Sequence, residues 1–159
     1  MPLSSWINKL ENLENIIADA MEDAVDNSEN TIVEMQKDRM ELGIDTNGKP
    51  IEFVGHLRSS ELTSNGAYTK KYANHKQKKG KQTAFVDLEL TGKYKNGLKT
   101  KTQKTNDSID VDIESNVDYE KYIKKNYDNI YGLSKSQEKE IKKEIANKIE
   151  VKVKNYLSL

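Results

Sequence analysis

The sequence contains no cysteine and is poor in apolar residues. The missing cysteines exclude disulfides and metal sites built on thiolates, and they fit a reducing compartment. Hydrophobic residues make up 35% of the chain and charged residues 33%, whereas typical globular domains have about 45–50% apolar residues (with glycine included) and about 25% charged residues. We therefore expect a thin core, with some elements burying their apolar faces on other subunits.

Long apolar runs are also missing. No run approaches the roughly 20 residues that a membrane-spanning helix needs. Residues 1–9 lack the charged segment followed by an apolar segment that marks a secretory signal. We expect no membrane partner, and 159 residues fit one domain with a projecting arm.

The charge is unevenly distributed although the net charge is zero. Residues 1–48 carry 11 acids and three bases, residues 49–104 carry 13 bases and four acids, and residues 105–159 carry 10 bases and 11 acids. The acidic and basic parts can attract each other within a subunit or head to tail between neighbours. The alternative is that both parts are solvated and do not interact.

The first 43 residues have the pattern of an acidic amphipathic helix. Ser4 or Ser5 can cap it, and Gly43 is a plausible stop. An unbroken helix would be roughly 55 Å long, longer than a one-domain core can cover, although Ser28 can cap a second segment after a break. We predict an N-terminal helical arm over 1–43 and a body over 44–159. The predicted anchors of the arm on a neighbouring subunit are Trp6, Leu10, Leu13 and Ile17.

A turn cluster at 45–50 and a short extended segment at 53–57 lead into the most basic part of the chain. We expect a mobile basic loop at about 64–83, in which one helical turn can place Tyr68 and Tyr72 on one face. Lysines that release counterions, beside aromatic rings that stack on bases, are typical of contact with DNA or with an acidic partner. The candidate residues are Lys70, Lys71, Lys76, Lys78, Lys79 and Lys81.

The second half of the chain has the patterns of an antiparallel sheet and a final helix. Phe85 to Leu90 is predicted as a strand with Asp87 and Glu89 facing solvent, and a turn at 105–107 joins two further alternating runs into a hairpin. Ser134 and Gln137 match a capping box before an apolar row. The predicted fold is α+β: a long N-terminal amphipathic helix, a small antiparallel sheet with a hairpin, and a C-terminal helix packed on the sheet.

The pattern of potentially reactive side chains does not indicate an enzyme. His56 and His75 have no His, Asp or Glu three or four residues later, and the alternating carboxylates of 110–114 are typical of a solvated strand face. No phosphate-binding glycine loop or nucleophile motif occurs. We expect no enzymatic activity, cofactor or metal. Four tyrosines are candidates for a subunit interface or, equally, for covering the local core: Tyr119, Tyr122, Tyr127 and Tyr131.

Several short motifs occur in an order that resembles a known family. They are the Gly43–Pro50 turn after a long helix, Tyr68 and Tyr72 with the lysines that follow, Leu90-Thr91-Gly92, Val117-Asp118-Tyr119 and Tyr131-Gly132-Leu133-Ser134. Their order and spacing resemble the phage neck and tail-completion proteins, the Mu-like virion morphogenesis group and its tail-component relatives.

The resemblance implies a structural protein of a tailed phage. It implies a subunit of a homo-oligomeric ring that joins the head connector to the tail, located in the virion neck or tail and assembled in the host cytoplasm. Its partners would be neighbouring connector and tail proteins, with non-specific contact to packaged DNA as a further possibility. Two alternatives remain open: a small nucleic-acid-binding protein that uses the lysines of 70–81, and an adaptor with a coiled-coil arm.

Overall fold

Helices and one hairpin make up the fold, which confirms the α+β prediction. The computed structural model describes residues 3–55, 58–105 and 108–158. In chain order the elements are α1 (Leu3–Glu11), α2 (Leu13–Asp26), α3 (Glu29–Glu41), a 3-10 turn (Ser59–Glu61), α4 (Lys70–Lys78), α5 (Lys93–Asn96), β1 (Leu98–Lys104), β2 (Ile109–Ser115), α6 (Glu120–Asn126) and α7 (Lys135–Leu157). His56, Leu57, Asn106 and Asp107 lie outside the described residues.

The N-terminal helical stretch is interrupted twice. At Asn12 and Asn27, the side-chain amide donates to a carbonyl oxygen one turn earlier, that of Asn8 at 2.8 Å and that of Asp23 at 2.7 Å. Such bonds compete with the helical hydrogen bonds of the backbone. The Ser28 hydroxyl donates to the carbonyl oxygen of Ala24 at 2.8 Å and does not cap α3. The predicted break near Ser28 is therefore confirmed, whereas the predicted cap is wrong.

Gly43 ends α3 in a left-handed conformation, as the sequence predicted. Its φ is +70°, its N–H donates to the carbonyl oxygen of Met40, and the N–H of Ile44 reaches the carbonyl oxygen of Arg39. This pair of bonds is a Schellman motif. A Cβ at position 43 would overlap the ring of Phe85 and lie 3.1 Å from the carbonyl oxygen of Val86. The position therefore requires glycine for its backbone conformation and for its packing.

The core lies between α3, the hairpin and α7. Helix α3 packs against β1 and supplies Ile32, Val33 and Met40 to one apolar cluster, so this part of the predicted arm belongs to the body. Leu98 and Ile113 of the hairpin and Ile141 of α7 join the same cluster. The main packing partner of α7 is α2 rather than the sheet, which corrects the predicted arrangement.

Buried polar side chains connect α3 to the segment before α7. The guanidinium of Arg39 donates to the carbonyl oxygens of Ile44, Ile130 and Gly132 at 2.7–2.9 Å. Gln36 accepts a bond from the same guanidinium and also donates to the carbonyl oxygen of Ile130. Burial lowers the pKa of Arg39, against the attraction of Asp45. These bonds satisfy carbonyl groups that the irregular segment 129–132 cannot pair within itself.

The hairpin follows the predicted alternation. Its register pairs Leu98 with Ser115 and Lys104 with Ile109, and Lys99 forms a 3.2 Å ion pair with Glu114 across the strands. The C-terminal helix begins with the predicted capping box, in which the Ser134 hydroxyl accepts from the N–H of Gln137. No helix among the described residues combines the length and apolar character needed to cross a bilayer.

The segment from Phe85 to Leu90 corrects the sequence prediction. It forms no strand, its Val86 side chain is buried, and Leu88 has a φ of +53°. The carboxylate of Asp87, expected to face solvent, is buried as well. Two consecutive residues, Val86 and Asp87, are both buried, so the segment does not alternate between interior and solvent as a strand does.

Gly43→Ala should destabilise the fold by about 2–4 kcal/mol, because it adds steric overlap to left-handed backbone strain. Gly48→Ala is the matched control: its φ is +78°, but an added Cβ meets nothing within 4 Å, so about 1 kcal/mol is expected. Urea denaturation of both variants measures the difference. Equal losses would contradict the packing role of Gly43.

Candidate functional site

Part of the predicted basic loop is a helix. Thr69 caps α4, its hydroxyl accepting from the N–H of Tyr72 at 3.2 Å. Four of the candidate lysines are exposed: Lys70, Lys71, Lys78 and Lys79. Lys81 is half-buried and pairs with Glu89 at 2.6 Å. Lys76 has 0% exposure, so the prediction that it contacts DNA or an acidic partner at the surface is wrong.

The ammonium group of Lys76 is fully hydrogen-bonded inside the protein. It donates to the Tyr68 hydroxyl at 3.0 Å, to Oδ1 of Asp87 at 2.5 Å and to the carbonyl oxygen of Glu89 at 2.7 Å. Lysine has three N–H donors, and all three have a partner here. The ammonium therefore offers no free donor to a ligand.

Asp87 is the acceptor around which this cluster forms. Its carboxylate receives bonds from Lys76, from the Tyr68 hydroxyl at 2.9 Å, from the N–H of Glu89 at 2.9 Å and from the side-chain amide of Gln82. Burial alone would raise the pKa of Asp87, but the bonds from Lys76, Glu89, Gln82 and Tyr68 outweigh it, and its pKa lies below its usual value. The cluster holds the irregular segment after Val86 against α4.

Beside this cluster lies an aromatic groove with a cavity volume of about 490 Å³. We use the name aromatic groove for the surface lined by Phe53, Tyr68, Tyr72, Tyr94, Tyr119, Tyr122 and Tyr127, together with Thr69, residues 88 and 90–93, Ile123 and Asn126. Its walls come from α4, α6 and the segment that Asp87 anchors. Ring contacts order it: the centroids of Phe53 and Tyr127 are 5.7 Å apart and those of Tyr68 and Tyr72 are 5.4 Å apart.

The groove brings together residues that the sequence assigned to different roles. Tyr119, Tyr122 and Tyr127, predicted as interface residues, line it beside Tyr68 and Tyr72 of the basic segment. Tyr131, the fourth predicted interface residue, lies outside the lining. Its ring meets that of Tyr94 edge-on at 6.3 Å, and burial raises its pKa. Tyr94 and Phe53 were not predicted as site residues, because neither belongs to a tyrosine-rich stretch.

Two lysines bring positive charge to the groove. Lys93 belongs to its lining, whereas Lys70 and Lys71 are exposed on other faces of α4. The ammonium of Lys121 lies 5.2 Å from the ring centroid of Tyr122. The groove thus combines apolar rings with cations, as recognition surfaces for amphipathic, acidic partners do.

A second candidate surface lies on α1 and α2. Ile7, Leu10 and Ile17 are 48%, 57% and 39% exposed, whereas the other two predicted anchors, Trp6 and Leu13, are half-buried. We call Ile7, Leu10 and Ile17 the exposed apolar row. Their spacings of three and seven residues place them on one helical face. The predicted anchors Leu10 and Ile17 are therefore available to a partner.

Acids accompany the exposed apolar row. Some N-terminal carboxylates pair within the chain: Glu22 with Lys104, Asp23 with Lys152, and Glu41 with Lys95 at 3.0 Å. Within the described part of the chain, no cation lies within 4.0 Å of Glu11, Glu14, Asp19 or Asp26. Attraction within the subunit thus accounts for part of the acidic charge, whereas Glu11 and Glu14 beside the exposed apolar row are open to solvent.

Across residues 3–55, 58–105 and 108–158, no group of three or more His, Asp or Glu side chains is arranged to hold a metal ion. Comparisons with protein-family models, with curated proteins and with solved structures found no significant match to this chain.

Lys76→Met should lower the free energy of unfolding by about 3–5 kcal/mol, because it leaves the Asp87 carboxylate buried without its cation. Lys79→Met, at the exposed end of the same helix, is the control and should change the free energy of unfolding by less than about 0.5 kcal/mol. Tyr68→Phe gives a milder loss of about 1–3 kcal/mol, which keeps the test informative if Lys76→Met does not fold. Losses no larger than the control would show that the cluster does not hold α4.

Acid should weaken the fold through Asp87. Its pKa in the folded protein is below the ordinary value of 3.8, so its contribution to stability is present above that value and is lost as the pH falls through the folded pKa. Between about pH 5 and pH 2, the wild type should lose stability more steeply than Asp87→Asn. Asp118→Asn, at an exposed position, is the control. Parallel pH curves for wild type and Asp87→Asn would contradict this.

Proposed function

We propose that this chain is a structural subunit of a tailed-phage particle, in a neck or tail-completion ring that joins the head connector to the tail. The observation that carries the proposal is the exposed apolar row on acidic N-terminal helices. A chain with only 35% hydrophobic residues leaves Leu10 57% exposed and Ile7 48% exposed. Such a row is stabilised when a neighbouring subunit covers it.

The motifs that resemble the phage family lie at junctions of the fold. Gly43 ends α3, Gly92 precedes α5 with a φ of +77°, and Gly132 precedes the capped start of α7 with a φ of +95°. These glycines set the directions in which the chain leaves α3 and enters α5 and α7. Their placement supports the proposal because an assembly subunit needs fixed surfaces, whereas a catalytic motif would bring reactive groups together at one site.

The proposed setting follows from the same resemblance. The subunit would be assembled in the bacterial cytoplasm and remain in the virion neck or tail, with copies of itself, connector proteins and tail proteins as neighbours.

Nucleic-acid binding is the second candidate, favoured by a specific observation. Lys70, Lys71, Lys78 and Lys79 are exposed on α4 and its C-terminal end, and no carboxylate in the described residues lies within 4.0 Å of them. Four such cations would give salt-dependent binding to phosphates. In a ring around a DNA channel, the same lysines would contact packaged DNA without base specificity.

The proposal is tested in the phage that encodes the chain. The protein should be found in purified particles by mass spectrometry, and its deletion should give filled heads and separate tails in electron micrographs. Leu10→Asp should reduce incorporation at least about tenfold, because it places a charge in the covered row. Asn15→Asp adds the same charge at an exposed polar position and should leave incorporation unchanged.

A second set of results would contradict the structural role. If the protein is missing from particles, and it binds DNA in a way that Lys70→Ala, Lys71→Ala, Lys78→Ala and Lys79→Ala together abolish, the structural role is wrong. Nucleic-acid binding then replaces it.

A further inference from the structure

We infer that the aromatic groove of one subunit receives the exposed apolar row of a second copy of the same chain, in a head-to-tail contact. The inference deepens the proposed ring role, on which it rests, by naming both faces of the contact between subunits. It assigns a partner to each of the two surfaces described above.

The chemistry of the groove fits an amphipathic acidic helix. The exposed rings of Tyr119 and Tyr122 provide apolar area that carries hydroxyl groups, a composition enriched where proteins meet. Helices commonly bind in such grooves through apolar residues spaced along one face. The cations of Lys93, in the lining, and of Lys121, beside Tyr122, favour carboxylates on the incoming helix.

The N-terminal helices present the matching surface. Ile7, Leu10 and Ile17 share one face, and Asn12 keeps a right-handed helical backbone (φ −93°, ψ 0°), so the face runs through the junction of α1 and α2. Glu11 and Glu14, next to this face, have no cation within 4.0 Å in the part of the chain that the structure describes. Apolar anchors flanked by carboxylates match rings flanked by ammonium groups.

Within one subunit the two surfaces belong to different parts of the fold. The lining of the groove comes from residues 53–127 and includes no residue of α1 or α2. Helix α1 instead contacts the end of α7, where Lys9 donates to the Ser158 hydroxyl at 3.3 Å and the Tyr156 hydroxyl lies 3.4 Å from the carbonyl oxygen of Lys9. A contact between two different patches is heterologous, and repetition of such a contact produces a ring when the rotation closes.

A small apolar molecule is the competing occupant. The cavity volume of about 490 Å³ lies within the roughly 300–1,000 Å³ of small-molecule pockets. The cations beside the groove favour the helix, because an uncharged ligand gains nothing from them. The carboxylates beside the exposed apolar row are their natural counterpart.

Site-directed cross-linking tests the contact directly. The chain has no cysteine, so single cysteines can be placed at Leu10 and Tyr122 without background. A mixture of Leu10→Cys and Tyr122→Cys proteins should form a disulfide-linked dimer under mild oxidation. Leu10→Cys mixed with Lys142→Cys, a highly exposed position on α7, should give at most about a tenth of that yield. Equal yields from both pairs would overturn the inference.

A mixing experiment tests whether the contact is head to tail. The wild type should show concentration-dependent association in analytical ultracentrifugation, whereas Leu10→Asp and Tyr122→Asp should each be monomeric. Mixed together, the two variants should form a one-to-one dimer that grows no further, because each retains one intact face. A wild type that stays monomeric at every concentration, or a mixture that stays monomeric, overturns the inference.

The outcomes separate this inference from the proposed function. If the protein is found in particles but the cysteines at Leu10 and Tyr122 do not cross-link, the ring role is retained and the named contact is wrong. If the cross-link is specific but the protein is missing from every particle, the contact is retained and the phage role is wrong. If a small molecule co-purifies with the wild type but not with Tyr122→Asp, and the protein does not self-associate, the groove binds that ligand and the proposed contact is wrong.

Discussion

The burial of the Lys76 ammonium is the constraint on which the basic half of the molecule depends. A buried cation is tolerated only where its charge is paired and its donors are bonded, and Lys76 meets both conditions through Tyr68, Asp87 and the carbonyl oxygen of Glu89. Those partners come from before and after α4 in the chain. Satisfying one ammonium therefore fixes the segment after Val86, and that segment forms a wall of the aromatic groove.

The requirement that a buried polar group be hydrogen-bonded applies elsewhere in this protein as well. Because the chain has few apolar residues, hydrogen-bonded polar groups fill part of its interior. Arg39 and Gln36 donate to carbonyl oxygens before α7, and Lys95 bridges Glu41 and Glu89. These hydrogen bonds hold separate segments of the chain in a defined arrangement, and within the described residues Nε of Arg39 is a buried donor without a partner. The apolar residues that remain exposed on α1 and α2 are the ones that the proposed contact between subunits would cover.

The local elements were the predictable part of the fold. The capping box at Ser134, the stop at Gly43, the break near Ser28 and the alternation of the hairpin each depend on a few neighbouring residues. The failures occurred where distant residues compete. Asp87 alternates with apolar neighbours as a strand residue would, yet a cation eleven positions earlier draws it inward. The main partner of α7 was likewise misjudged, because amphipathic periodicity marks the buried face without saying what covers it.

The sequence by itself determined the N-terminal and C-terminal helices, the hairpin, the separation of acidic and basic segments and the tyrosine content, since propensity, capping and charge are local properties. Only the tertiary structure decided that Lys76 is buried while Lys70 and Lys71 stay exposed, and that tyrosines from three separate segments line one groove. Lysines look alike in a sequence. Which one is buried depends on where the folded chain places a carboxylate and two further acceptors within hydrogen-bond distance.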